Sequence, residues 1–308
     1  MKLWLQIVLI VLLVLVIGLG AWLYTPDKSR AELEAKYGVA PGDYLDITGL
    51  RLHLRRTGRG GAPAVILLHG FGSSLGTWDA WADALSADHD VIRFDLPGFG
   101  LTGPDPTGDY TDARSIAVLL AVMDRLGIAH ASLIGNSLGG KIAWMFAAKY
   151  PDRVQKLVLI SPDGFASPGF EYGVKPKVPA VLRMLRFVLP TAAVRMTMAP
   201  AFADPAHMSD DLVTRYADMM RAPGVRGAML ARMEQAMVEP PEAALSSIHT
   251  PTLLLWGEKD GMIPFGNSAD YMRLLPNATL VALPDLGHVP QEEAPAVSLP
   301  PVQQFLAK

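Results

Sequence analysis

The chain has 308 residues, half of them hydrophobic, with mean hydropathy +0.25, which excludes a disordered polypeptide. Its 27 Lys+Arg against 30 Asp+Glu leave a net charge of −3, so the basic excess of a nucleic-acid binder is missing and no nucleic-acid partner is expected. There is no cysteine, which excludes disulfides, thiolate zinc sites, Fe–S clusters and a cysteine nucleophile.

The first element is apolar throughout. From Leu3 to Tyr24 the chain reads LWLQIVLIVLLVLVIGLGAWLY, without a charge. As a helix, residues 3–24 reach roughly 33 Å, enough to cross a bilayer core. Trp4 stands at one end and Trp22 and Tyr24 at the other, where amphipathic rings favour the headgroup level. The run is longer than the apolar part of a signal peptide, so the expectation is a transmembrane anchor over residues 1–25, with the bilayer as partner. Gly18-Leu19-Gly20-Ala21, faintly like a cleavage site, keeps a cleaved signal as the alternative. Lys2 lies on one side and Lys28, Arg30 and Lys36 on the other, so basic residues do not set the orientation. Ser29-Arg30-Ala31-Glu32 fits a capping box and Gly38 a helix stop, which predicts a short helix and linker over 26–43.

From residue 44 onward, short β-type runs alternate with helical periodicity, the pattern of an α/β domain on a mainly parallel sheet. Tyr44–Ile47 and Leu50–Arg55 read as a leading hairpin. Strands are expected at Ala64–Leu68, Val91–Phe94, Ser132–Ile134, Lys156–Ile160, Thr252–Trp256 and Thr279–Leu283. Tyr110–Leu126 and Gly139–Lys149 carry helical spacing. Between Ser161 and Thr252 no convincing strand occurs. Pro179–Leu189, Thr191–Ala199, Ser209–Arg221 and Val225–Val238 read as helices, which predicts a helical cap over 164–246 inserted into a core of 44–163 and 247–308. The cap holds nine of the fourteen methionines. Met229 and Met233 fall on one helical face and are the candidate substrate-binding residues, methionine being a flexible apolar lining; simple packing of the cap is the alternative.

Gly135-Asn136-Ser137-Leu138-Gly139 fits G-x-S-x-G directly after a strand and before a helix. That context exposes a serine on a tight turn, with small neighbours to relieve crowding. A serine nucleophile needs a base, and the base an orienting acid. Asp260 follows the strand ending in Leu255-Trp256-Gly257, and His288 lies in Leu286-Gly287-His288 after the last strand. Asp163, in Ser161-Pro162-Asp163-Gly164 at another strand end, competes for the acid role. His53, His89, His130, His207 and His249 read as packing or solvated residues, and His69 as structural. Two N–H donors must face the developing oxyanion; Leu138 and Phe71, in His69-Gly70-Phe71-Gly72, are the candidates. Gly98-Phe99-Gly100-Leu101-Thr102-Gly103 fits a dinucleotide pattern, but Pro97 and Pro104 bracket it and no helix opens there. No metal or cofactor motif is present, so none is expected.

Taken together, HGFG, DLPGFG, GNSLGG and GHVPQEEAP resemble the α/β-hydrolase superfamily from about residue 44 to the carboxyl end. The resemblance implies Ser137 as nucleophile, Asp260 as acid, His288 as base and Phe71 and Leu138 as oxyanion donors, hydrolysing carboxylic esters. A serine at the elbow departs from dehalogenases and epoxide hydrolases, which use aspartate there. Hydrolases of carbon–carbon bonds share the GNSxGG elbow but usually carry Trp after the histidine, where this chain has Val289; they remain the alternative, and cofactor-free haloperoxidases of similar fold are a side activity. From another class, a non-catalytic membrane-tethered binding protein is also open. The added amino-terminal helix is similar to bacterial inner-membrane lipases and phospholipases A. It implies medium- or long-chain acyl esters or membrane phospho- and lysophospholipids as substrates, and a catalytic domain on the periplasmic side. The sequence fixes no oligomeric state.

Overall fold

The computed structural model describes every residue except Met1 and Pro168; in the first helix, the side chains at 2, 3, 16, 17, 19, 21 and 22 also lie outside the description. The helices are α1 (Lys2–Leu23), α2 (Arg30–Lys36), α3 (Asp79–Leu85), α4 (Asp112–Arg125), α5 (Leu138–Lys149), α6 (Thr191–Met198), α7 (Asp210–Met220), α8 (Val225–Gln235), α9 (Glu242–Ser246), α10 (Asn267–Leu274), α11 (Pro290–Glu293) and α12 (Pro295–Ala307). The strands are β1 (Tyr44–Ile47), β2 (Leu50–Gly58), β3 (Ala64–Leu68), β4 (Asp90–Phe94), β5 (Ala131–Asn136), β6 (Val154–Ile160), β7 (Thr252–Gly257) and β8 (Ala278–Leu283).

All eight strands join one sheet in the order β1-β2-β4-β3-β5-β6-β7-β8. The leading hairpin is antiparallel, with Tyr44 opposite His53, and β2 runs antiparallel to β4. Every other pair is parallel. Parallel strands are buried on both faces, so β3, β4, β5 and β7 are fully buried, and β3 and the Leu253–Trp256 stretch of β7 read as continuous apolar runs. On one face α4, α5, α9 and α10 supply Ile116, Val122, Ile142, Phe146, Leu245 and Tyr271 to the core. On the other, Trp78 just before α3, Trp81 of α3 and Leu299, Val302 and Leu306 of α12 are buried.

Between β6 and β7 the chain carries helices, as the spacing predicts, but one segment differs in type and one helix ends early. Residues 180–186 form a 3-10 turn rather than an α-helix, since Pro179 and Pro190 allow only a short tight segment between them. The helix expected to reach Val238 stops at Gln235, whose side chain instead bonds Tyr110 N–H and Gly108 O. Tyr110 accordingly lies outside α4, which starts at Asp112 with Thr111 as its cap. This segment has its own buried cluster, including Leu189, Met198, Phe202, Val213 and Tyr216, and Val289 beside the histidine joins it.

The amino-terminal run is helical over 22 residues, and every residue from Leu9 to Leu15 is exposed. Among the described residues, however, no helix is long and apolar enough to cross a membrane. The continuous stretch whose side chains are described, residues 4–15, spans only about 18 Å at the helical rise, short of a bilayer core. The fold therefore does not include the expected anchor as an established span, and the side chain of Trp22, expected at its interface, lies outside the description. The predicted helix after it is present as α2, where Ser29 Oγ accepts Glu32 N–H at 3.1 Å.

Candidate active site

Ser137 occupies the turn between β5 and α5 with φ 53° and ψ −117°. A non-glycine residue in this region is strained by about 1–3 kcal/mol, and the surroundings leave it no alternative. A Cβ at Gly139 would lie 2.1 Å from Leu68 O, and one at Gly135 would lie 2.3 Å from Gly139 O. Only glycine lets β5, β3 and the start of α5 approach this closely, which is the physical content of the G-x-S-x-G spacing. The serine is pinned by its backbone: its N–H donates to Ile160 O at 3.0 Å, and its carbonyl accepts from Lys141 and Asp163 N–H.

Asp260 and His288 follow β7 and β8, the two strands beyond β6 on the same side of the elbow. Their side chains meet: His288 Nδ1 lies 2.7 Å from Asp260 Oδ2, with both side chains buried. The other oxygen, Asp260 Oδ1, accepts Met262 and Ile263 N–H at 2.8 Å each. The carboxylate is thereby fixed and its second oxygen committed to the imidazole. Asp163, the competing acid, borders the serine through its backbone, but among the described residues its carboxylate makes no bond to His288. Its backbone carbonyl accepts Trp144 Nε1–H and Tyr271 O–H at 3.0 Å, so it closes the turn after β6.

Asn136, the residue before the serine, ties the two halves together. Its Nδ2 donates to His288 O at 2.9 Å and to Ile160 O at 3.2 Å. Glu293 does the same from the other side: its Oε2 accepts Gly287 N–H at 2.7 Å, and its Oε1 accepts Ala203 N–H at 2.9 Å. His288 N–H in turn donates to Ala201 O at 2.7 Å. In the sequence Asn136 is only the variable position of G-x-S-x-G and Glu293 only part of GHVPQEEAP. No local pattern marks either, because their partners lie far away in sequence.

On the opposite side of the elbow, Phe71 and Leu138 are the residues expected to face an oxyanion. Among the described residues, neither N–H donates to another protein group. For Leu138 the reason is that it opens α5, whose first N–H groups have no intrahelical acceptor. His69 holds the Phe71 loop: its Nδ1 lies 2.8 Å from Gly70 O while its Nε2 accepts Leu96 N–H at 2.9 Å. Burial pushes its pKa down, which keeps the ring neutral in that arrangement. A second buried His–Asp pair, His53 with Asp95 at 2.7 Å, lies under the glycine-rich turn. Asp95 also accepts Leu75 and Leu101 N–H at 2.7 Å each. Burial alone would raise the Asp95 carboxyl, but His53 and these donors hold it below its ordinary range. Neither residue lines the cavity described next, so this pair is a brace.

Ser137, His288 and Phe71 line one cavity of about 300 Å³. Its other walls are mainly apolar, and Met229 and Met233 are among them together with Leu182, Leu185 and Met198. Asn136, Thr197 and Arg226 also reach it, and Ser73 and Tyr216 belong to a polar network behind the Phe71 loop. Ser73 Oγ donates to Tyr216 Oη at 3.2 Å, Tyr216 donates to Glu292 Oε1 at 3.1 Å, and Arg215 lies 2.9 Å from Glu292 Oε2. Burial raises the Glu292 carboxyl despite Arg215.

A doubly covered, mainly parallel sheet with a strained serine at the β5–α5 elbow and a His–Asp pair after β7 and β8 defines a class, the α/β hydrolases. The model of the alpha/beta hydrolase fold family matches residues 63–295, and the chain belongs to that family as a hydrolase. It is 33% identical, over 278 residues, to the dihydrolipoyllysine-residue acetyltransferase component of the acetoin cleaving system of Cupriavidus necator, covering 87% of this chain and 69% of that protein. It is 31% identical over 261 residues to 2-hydroxy-6-oxononadienedioate/2-hydroxy-6-oxononatrienedioate hydrolase of Comamonas testosteroni, covering 80% of this chain and 88% of the relative. Among solved structures, a bacterial membrane phospholipase A is similar with TM-score 0.73 and 25% identity, covering 100% of this chain and 98% of its own.

Proposed function

We propose that the protein is a membrane-anchored serine hydrolase that cleaves carboxylic esters of medium or long acyl chains, membrane phospholipids and lysophospholipids among them, through an acyl-enzyme. The observation that carries this is one apolar cavity lined by Ser137, by His288 with Asp260 bonded behind it, and by Phe71, whose N–H, like that of Leu138 next to the serine, is unbonded among the described residues. Ser137 Oγ attacks the carbonyl and His288 Nε2, the ring nitrogen not engaged by Asp260, takes its proton. The developing oxyanion receives hydrogen bonds from Phe71 and Leu138 N–H. His288 then returns the proton to the leaving alcohol, and water repeats the sequence on the acyl-enzyme. Asp260 holds the imidazole with its proton on Nδ1.

The apolar walls favour an acyl chain. Each methylene buried against Met229, Met233 and their neighbours contributes about 0.8 kcal/mol, and residues 164–246 serve as the cap that supplies those walls. The likeness to a membrane phospholipase A over the whole chain supports residues 1–25 as a single-pass anchor of a bacterial inner membrane, with residues 26–43 as linker and the catalytic body on the periplasmic side. A helix with Leu9 to Leu15 all exposed is better solvated by lipid than by water.

One observation favours a second reading, a carbon–carbon bond hydrolase: the identity to the hydrolase of Comamonas testosteroni. Dicarboxylate substrates call for cations in the pocket. Arg226 is the cation among the cavity residues, and it is already paired with Asp27 at 2.6 Å. The test is kcat/KM for monomeric nitrophenyl esters of increasing chain length, beside fatty-acid release from phospholipid vesicles and turnover of a 2-hydroxy-6-oxo-dienoate. Rates that rise with chain length, and that vanish with Ser137→Ala, are expected. A steep fall beyond short chains without release from vesicles, or faster turnover of the dienoate, refutes the reading.

A further inference from the structure

The first residues after α1 are tied to the helical segment between β6 and β7. Thr25 N–H donates to Phe187 O at 2.8 Å and Lys28 N–H to Arg221 O at 2.8 Å. Asp27 pairs with Arg226 at 2.6 Å and accepts Gly224 N–H at 2.9 Å. Lys28 and Lys36 converge on the buried Asp218 at 3.0 and 2.7 Å. The end of α1 is thereby held beside the 3-10 turn of residues 180–186.

That turn has two apolar faces. Leu182 and Leu185, with Leu189 just beyond, line the cavity that holds Ser137. Val181, Met184 and Phe187 are 73%, 54% and 54% exposed, and Tyr24 at the end of α1 is 54% exposed as well. Between residues 170 and 190 stand Lys175, Lys177, Arg183 and Arg186 against the single acid Glu171. All four are exposed, and among the described residues only Arg183 has an acidic partner, Glu234 at 3.3 Å. Exposed apolar side chains ringed by basic ones are the pattern of a segment that lies in the interface of an anionic bilayer.

We propose that Val181, Met184 and Phe187 form a second membrane contact, seated in the bilayer interface with Lys175, Lys177, Arg183 and Arg186 at anionic headgroups. The inference rests on the anchored reading above. Its carrying observation is continuity: a bilayer that receives α1 reaches Tyr24, and the Thr25–Phe187 hydrogen bond sets the patch at the same level. The opposite face of the same turn is a wall of the cavity. An acyl chain then passes from lipid to Ser137 along one short turn, and the orientation of the hydrolase on the membrane is fixed at two points instead of one.

The full-length chain reconstituted into phosphatidylcholine vesicles, with and without phosphatidylglycerol, tests this. Because the chain has no cysteine, Phe187→Cys carries a single NBD fluorophore without background. Gly60→Cys is the control, on the loop between β2 and β3 where an added Cβ meets nothing within 4 Å. Emission at 187 is expected to shift to the blue and to be quenched by lipids spin-labelled high on the acyl chain, more strongly with phosphatidylglycerol; position 60 is expected to do neither. Combined Val181→Asp, Met184→Asp and Phe187→Asp is expected to lower phospholipid hydrolysis in vesicles about tenfold or more while sparing a short monomeric ester. An unshifted probe at 187 overturns the proposal. So does a shift indifferent to the lipid quencher that grows with protein density, which would assign the patch to a second copy of the chain. Equal quenching with and without phosphatidylglycerol overturns the role of the four basic residues. If the parent hydrolyses no ester at all, the functional reading fails while the fluorescence still answers the question of the contact.

Discussion

Replacing Asp260 with Asn removes one charge and almost no volume, yet the structure makes it a severe change. The native carboxylate accepts three hydrogen bonds, from Met262 N–H, Ile263 N–H and His288 Nδ1. An amide has one acceptor oxygen. If that oxygen keeps the two backbone donors, the NH₂ group faces His288 Nδ1 and forces the ring proton onto Nε2, the atom that must accept the proton of Ser137. If the amide flips to preserve the imidazole bond, two buried N–H groups lose their acceptor at about 1–3 kcal/mol each. The first arrangement wins. A wrong tautomer at a serine triad costs about 10⁴-fold in kcat, or about 5 kcal/mol of transition-state stabilisation. Asp163→Asn leaves the backbone carbonyl that Trp144 and Tyr271 use intact, so its effect should stay within about tenfold. The assay is kcat with a soluble nitrophenyl ester, beside circular dichroism to show that both variants are folded. An Asp260→Asn enzyme within about tenfold of the parent, or an Asp163→Asn enzyme that loses more, refutes the assignment of the acid.

Met229→Asp with Met233→Asp places charges in the apolar cavity wall; kcat/KM is expected to fall most for the longest acyl chains and least for the shortest, and a uniform fall along the series would count against a chain-binding role. Asp112, its side chain 13% exposed, lies between the buried Lys141 at 3.0 Å and the buried Arg232; partial burial pushes its carboxyl up, but the two cations hold it below its ordinary range. Its contribution to stability is thus complete above the unfolded carboxylate value of about 3.9 and is lost as pH falls through the lower folded value. Asp112→Ala should therefore destabilise by about 3–5 kcal/mol at neutral pH in denaturant titrations, with the difference from the parent shrinking in acid; a difference that does not change with pH would contradict this account. Removing residues 1–23 should move the protein from the membrane to the soluble fraction on ultracentrifugation, and a truncated chain that still sediments with membranes would show that the anchor lies elsewhere.

The elbow was legible in the sequence because its constraints are local. The positive φ of Ser137 and the approach of Gly139 to Leu68 are settled by backbone sterics within one turn, and the residues that satisfy them stand side by side in the chain. The buried parallel strands were legible for a similar reason, since burial on both faces demands an unbroken apolar run. The carboxyl-terminal helix is not among the expected elements; it carries Pro300 and Pro301, and proline costs about 3 kcal/mol in a helix interior. Burial of Leu299, Val302 and Leu306 against β-sheet side chains, about 1.5–3 kcal/mol apiece, offsets that cost. The short helices α3 and α10 escaped notice too, because seven or eight residues give too little periodicity to stand out and tertiary packing, not propensity, holds them. The choice between Asp260 and Asp163 was likewise not local. Both follow strands and both precede glycine, and what separates them is that the loop after β7 comes within hydrogen-bonding distance of the histidine after β8 while the loop after β6 is taken up by Trp144 and Tyr271. Local residue patterns thus settle which side chains can perform the chemistry and where the backbone bends to present the serine. Which carboxylate faces the imidazole and which methionines face the cavity follow from the folded arrangement, because those contacts join segments whose separation in the chain carries no information about their distance in the fold.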